Sequence, residues 1–191
     1  MKLSIDRLIK LIPEWNGKLI KVNPIKSGIT NINFEVIVGK KSFFLSIPHS
    51  KSELLNIDYK NKYYNNKMCG EINISPRVNH FIESENLLVT EFIKSKPSTI
   101  EMFQSSKAIE KLVKNIKLLH NANPFLRNFN MLSLISYYQN ILKRDPLPKK
   151  LFKYVNKIKS LKQKLYLPND KLVPCHNDLL AENIINKDNQ I

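Results

Sequence analysis

The sequence predicts an α+β protein in two parts, a sheet-forming front and a helical rear. Three observations predict it. Three extended runs follow one another between residues 18 and 48, joined by turn residues. Two more apolar, strand-like runs come after a helical stretch, at residues 77–82 and 86–93. Beyond Lys94–Ser98 the apolar residues switch to spacings of three and four, the period of a helix face.

The elements can be justified in order. Leu3, Ile5, Leu8, Ile9 and Ile12 line one side of a short helix, with Ser4 as its cap and Pro13 as its stop. The runs "KLIKVNPI", "NINFEVIV" and "KSFFLSIP" come next, the second alternating Ile32, Phe34, Val36 and Val38 on one face. "SGITN" links the first to the second and "GKK" makes a tight hairpin to the third. A helix is expected from about Ser52 to Gly70, then the strands "RVNHFI" and "NLLVTEFI" hinged at "ESE". Five strands with a helix between the third and fourth fit the small lobe of a two-lobed kinase, and by spacing alone other α+β folds as well.

In the rear, Ile109, Leu112, Val113, Ile116 and Leu119 mark one helix face. "MLSLISYYQNILKR" and "LFKYVNKIKSLKQKL" are also helical, separated at the Pro-bounded "DPLPKK". "KLVPC" and "NIIN" read as short strands. The composition shift divides the chain into residues 1–93 and 94–191, with no internal repeat or low-complexity linker.

The chain has 191 residues, 42% hydrophobic, enough for a real interior. Its 31 Lys and Arg against 16 Asp and Glu give a net charge of +15. The lysines are scattered in a composition rich in Lys, Asn and Ile, and no strand interleaves basic and aromatic residues, so nucleic acid is not the expected partner. Cys69 and Cys175 form no CxxC, and His49, His80, His120 and His176 lack ligand spacing with them, which argues against structural zinc. Two lone cysteines fit a reducing compartment. Asp6, Arg7 and Lys10 interrupt the N-terminal apolar run, so it is no signal peptide, and no run of about 18 apolar residues spans a membrane. A cytoplasmic location is expected.

Near the end stands "VPCHNDLLAENII", in which His176, Asp178 and Asn183 form H-x-D-x-x-x-x-N. In kinases this spacing carries a mechanism: the Asp takes or orients the proton of the attacking hydroxyl, and the Asn five residues on binds a Mg²⁺ that bridges the phosphates. His176 is expected to be structural in this catalytic loop.

The sequence resembles the choline/ethanolamine kinase and aminoglycoside phosphotransferase superfamily, most closely its bacterial choline-kinase-like branch. "PCHNDLLAENII" resembles that branch's catalytic loop and "KSGITNINFEV" its phosphate-loop hairpin. "INISPRVNHF" is similar to the segment after the small-lobe helix, "NLLVTEFI" to the hinge strand and "IKLLHNAN" to the first large-lobe helix, all in family order. The resemblance implies a protein-kinase-like two-lobed fold and an ATP- and Mg²⁺-dependent phosphotransferase acting on a small amino alcohol such as choline or ethanolamine. It implies Asp178 as catalytic base, Asn183 as metal ligand, and Gly28, Thr30 and Asn31 at the nucleotide phosphates. Backbone from Thr90 to Phe92 would meet the adenine. Tyr137 and Tyr138 stand where the acceptor pocket is built, as core residues or as an aromatic cage for a cationic amine.

Three departures from the family pattern temper the expected activity. Ser46 stands where the third strand usually carries a base, and Lys62 where the small-lobe helix carries its Glu partner. Both members of one ion pair are replaced, unless Lys62 or a neighbour such as Lys41 reaches the phosphates instead. After Asn183 only Asp188 follows, too close to be the family's second metal carboxylate. The large lobe is therefore expected to be incomplete, with apolar helix faces exposed, and a separately encoded C-terminal fragment is one expected partner. On this reading the chain alone is a weak enzyme or an inactive kinase-fold remnant.

Overall fold

A computed structural model of the chain describes residues 5–26, 30–49, 52–95, 98–142, 149–165 and 171–187. It opens with a short helix, α1 (Ile5–Ile9), and a 3₁₀ turn at Pro13–Trp15. Pro13 begins this turn, where its missing N–H costs nothing. Three strands follow, β1 (Ile20–Ile25), β2 (Asn31–Val38) and β3 (Lys41–Pro48). Helix α2 (Tyr59–Glu71) precedes β4 (Val78–Ile82) and β5 (Leu87–Glu91). The strands form one five-stranded sheet in the order β1-β2-β3-β5-β4, every pairing antiparallel. Gly39 at φ +61° makes the tight β2–β3 turn.

The inward residues of the alternating strands meet α1 and the 3₁₀ turn. Leu8, Ile9, Ile12 and Trp15 pack with Val36, Val38, Leu45, Leu87 and Val89 in one buried cluster. Trp15 meets Phe43 with ring centroids 5.2 Å apart. Helix α2 packs against β4, where the Tyr63 and Phe81 rings stack at 4.6 Å. At the end of α2, Gly70 lets the backbone of Pro76 and Arg77 approach closely.

The rear is helical: α3 (Ser106–His120), α4 (Met131–Ile141) and α5 (Lys149–Leu165). These helices bury little. Leu119 of α3 and Val155 of α5 are buried, while Ile109, Val113, Leu118, Leu151, Phe152 and Tyr154 face outwards. The whole is an α+β fold in two lobes, the front one the sheet with its helices and the rear one helical. Among the described residues no helix is long and apolar enough to cross a membrane.

The structure corrects two expectations. Residues 52–70 are not one helix: a 3₁₀ turn at Ser52–Leu55 ends at Asn56, whose φ of +52° lies outside helical space, and Asp58 caps a new start by accepting from the Asn61 N–H at 3.0 Å. "KLVPC" is not a strand, since Pro174 has no N–H to offer a ladder, and in "NIIN" only Ile185 makes an isolated bridge, joined by Lys187 just beyond it. Ser4 and most of "DPLPKK" lie outside the described residues.

Candidate active site

Two side-chain clusters gather the sequence-derived candidates. The first sits where β2 begins, beneath α2. Thr30 is fixed to the end of β3 by the His49 N–H, which donates to its carbonyl at 3.1 Å. The Asn31 amide donates to Thr30 Oγ1 at 2.9 Å, leaving Asn31 Oδ1 facing α2. There the Lys62 ammonium lies 3.4 Å from Asn31 Oδ1 and 3.5 Å from Ser46 Oγ. Ser46 is buried in mid-sheet opposite Asn33. Burial pushes the Lys62 ammonium below the usual lysine range. Gly28 lies outside the described residues. Lys41 is exposed at the far end of β3, paired with Val38 at the hairpin turn.

The second cluster is the loop at 176–183. Asn177 takes a left-handed conformation at φ +61°, which turns the chain between His176 and Asp178. The Asp178 N–H donates to His176 Nδ1 at 3.3 Å, so the imidazole braces the loop backbone although it is exposed. A 3₁₀ turn at Ala181–Asn183 then folds Asn183 back on Asp178. The Asn183 amide donates to Asp178 Oδ2 at 2.8 Å and to the Asp178 carbonyl at 3.1 Å. One carboxylate oxygen, Oδ1, and the Asn183 carbonyl oxygen remain available to other groups. The loop is moored to the connector after β5: the Ser98 N–H donates to the Ile184 carbonyl at 3.1 Å, and Ser95 Oγ bonds to the Asn186 carbonyl.

No hydrogen bond or ion pair among the described residues joins Thr30, Asn31, Ser46 or Lys62 to His176, Asp178 or Asn183. At β5, Thr90 is buried, the Glu91 N–H donates to Arg77 and the Phe92 N–H to Ser42 at 3.4 Å. Two of the backbone donors expected to meet adenine thus already have partners within the small lobe. Tyr137 and Tyr138 meet edge to face, with ring centroids 5.6 Å apart. Tyr137 lines an open groove of about 620 Å³ shared with Lys159, whose charge would oppose a cationic amine there. An ion pair that sequence reading did not foresee, Arg127 to Asp58 at 2.8 Å, links the connector after α3 to the cap of α2. The Lys62–Ser46 contact was also missed as a contact. Its signal was the simultaneous replacement of two paired positions.

For a nucleotide the donors fit: the first cluster presents an ammonium, a hydroxyl and an amide side by side. For Mg²⁺ the fit is partial, since Asn183 offers one neutral oxygen and Asp178 one free carboxylate oxygen. Among the described residues no group of three or more His, Cys, Asp or Glu is gathered for a metal.

A five-stranded antiparallel lobe, a helical lobe and an Asp–Asn loop moored to the connector between them define a kinase-like protein. A family model described as choline/ethanolamine kinase matches residues 22–191. The chain belongs to the choline/ethanolamine kinase family. It is similar in structure to a choline/ethanolamine kinase family protein from Mesorhizobium loti, with 23% identity and a TM-score of 0.68 over 92% of this chain and 57% of that one. It is also similar to the choline kinase LicA from Streptococcus pneumoniae, with 20% identity and a TM-score of 0.75 over 93% of this chain and 62% of that one. A structure of LicA in complex with AMP matches with 16% identity and a TM-score of 0.77, over 97% and 65% of the two chains. At these identities the structural likenesses establish the fold. The chain spans about three fifths of the length of these solved relatives. No curated protein matches it, and no comparison supports a separately encoded C-terminal fragment.

Proposed function

We propose that this chain carries the nucleotide-binding lobe and catalytic loop of an ATP-dependent phosphotransferase acting on the hydroxyl of a small amino alcohol, of the choline or ethanolamine kind. The observation that carries it is the Asn183 amide holding the Asp178 carboxylate at 2.8 Å, in a chain of the choline/ethanolamine kinase family. Mg²⁺-ATP, when bound, supplies the phosphoryl group and neutralises its charge. The chain's own residues then have distinct tasks. Asp178, held through Oδ2, keeps Oδ1 free to accept the proton of the attacking hydroxyl. Asn183 fixes that carboxylate and offers its carbonyl oxygen to the metal. His176 braces the loop. Thr30 and Asn31, with Gly28, receive the phosphates, and the segment Thr90–Phe92 and the backbone just after it receive the adenine. The lobe boundary falls near residues 93 and 94, and the protein works in the cytoplasm.

A second reading, nucleotide binding without transfer, is favoured by the short metal donor set at the loop. The two separate in one experiment: thermal melts of the purified chain with Mg²⁺-ATP, alongside ADP release with choline or ethanolamine. At 100 times the dissociation constant the nucleotide should add about 2.7 kcal/mol of stability. Asp178→Ala should keep this shift and lose ADP release. A shift with no ADP release in the unsubstituted chain selects the second reading, and no shift in a cooperatively melting chain overturns both.

A further inference from the structure

Lys62 is a cation held against neutral oxygens. Its ammonium has three donors and no acceptor capacity, yet its polar neighbours are Asn31 Oδ1 and Ser46 Oγ at 3.4 and 3.5 Å, both long for hydrogen bonds. Among the described side chains no carboxylate lies within 4.0 Å of it, and the nearby ion pairs are Lys60 with Glu83 and Arg127 with Asp58. The Tyr59 ring, 5.8 Å away, adds a weak attraction. A partly buried ammonium without a counter-charge destabilises a fold, and such a group persists most readily where a ligand brings the opposite charge. The neighbours say which ligand. Asn31 touches Thr30 on one side and Lys62 on the other, and Thr30 is anchored to the end of β3. Ser46 is small and 4% exposed, so β3 presents no charge of its own at this point and leaves space for the long Lys62 stem to cross from α2.

We infer that Lys62 is the phosphate-binding cation of this chain, delivered from helix α2 across the small Ser46 side chain, so that the helix and not the strand supplies the positive charge. This rests on the nucleotide-binding reading above. The replaced ion pair is then not a loss but a reversal, with the ammonium approaching the same polar cluster from the opposite element. The ligand class is a nucleoside di- or triphosphate, because charge on the polyphosphate and not the base is what the ammonium recognises. Lys62 differs here from Lys41, which sits exposed at the other end of β3.

The test compares ATP, ADP and adenosine binding by calorimetric titration of the full chain, of Lys62→Met and of Lys62→Arg. The Met variant removes the charge with little change of volume. It should weaken ATP about 10- to 100-fold, as expected for a lost hydrogen bond to a charged group, and leave adenosine unchanged. The Arg variant should recover most of the ATP affinity. In the unsubstituted chain, ATP and not adenosine should protect Lys62 from amine acylation, read by mass spectrometry of the Lys62 peptide, a measurement that needs no variant to fold. Tight ATP binding by Lys62→Met, or equal acylation with and without saturating ATP, overturns the inference while nucleotide binding stands. Failure of the unsubstituted chain to bind ATP overturns the nucleotide reading, and this inference with it.

Discussion

The two lobes treat their apolar residues in opposite ways. In the small lobe, α1, the Pro13–Trp15 turn and inward residues of all five strands close on one another, and Ile12, Val36, Leu45, Leu87 and Val89 are fully buried. In the rear lobe, three helices of comparable total length bury Leu119 and Val155 and turn much of their apolar surface outwards. The sheet lobe has its own core and so holds the Thr30–Asn31–Lys62 cluster on a preformed frame. The helical lobe holds the Asp178–Asn183 pair mainly through bonds within the loop and two bonds to the connector. The difference teaches that the two candidate clusters, in this chain, stand on supports of unequal strength.

The contrast can be broken by mutation. The largest effect is expected from Leu45→Ala, which empties a fully buried site and should lower stability by about 2–5 kcal/mol in urea denaturation. Phe152→Ala on α5, half exposed, should change it by no more than about 0.5 kcal/mol. A comparable loss from Phe152→Ala would mean that the rear helices share a core after all.

Gly70→Ala comes next. A Cβ there would lie 3.0 Å from Arg77 Cα and 3.1 Å from the Pro76 carbonyl, both backbone atoms with little room to yield. Alanine improves helix propensity by about 1 kcal/mol, and overpacking against backbone costs about 1–3 kcal/mol. A net loss is therefore expected, read as a lower melting temperature. A gain would show that the α2–β4 connection relaxes easily.

The smallest effect sharpens the picture of the small lobe. The ammonium of Lys62 is held below its usual range by burial alone, with Asn31, Ser46 and Tyr59 around it and no carboxylate within ion-pair distance among the described side chains. Between its lowered value and the ordinary lysine range, the unfolded chain binds more protons than the folded one, so this group makes stability rise with pH. Without nucleotide, Lys62→Met should melt above the unsubstituted chain at neutral pH, and the gap should narrow as pH rises towards that of free lysine. A gap that stays constant would mean the burial of Lys62 carries no charge penalty.

Much of the small lobe was legible in the sequence because its signals are local. Alternation in "NINFEVIV" and the turn at Gly39 set two strands and their register. The break at Asn56 was hidden, since "SELLNIDYKN" has no Pro or Gly and its left-handed residue is an Asn, one of the few that tolerates that conformation. "KLVPC" reads as a strand from its composition, but a strand needs a partner, and partnering is a tertiary fact. In the loop, the spacing of His176, Asp178 and Asn183 announced that they would share one turn, while the bond from the Asn183 amide to the carboxylate did not follow from spacing. Ser46 and Lys62 were visible as two replacements. That they touch was not, because β3 and α2 approach each other only in the folded sheet lobe.

The mooring of the loop to the connector has a consequence for the order of assembly. Ser95 bonds to a residue 91 positions later, whereas the β1–β2 and β2–β3 hairpins close over a few residues. Contacts between near neighbours form early and those between distant ones late. As the chain leaves the ribosome, the sheet can therefore close long before residues 176–187 exist, and the Asp178–Asn183 loop joins a lobe that is already able to hold it.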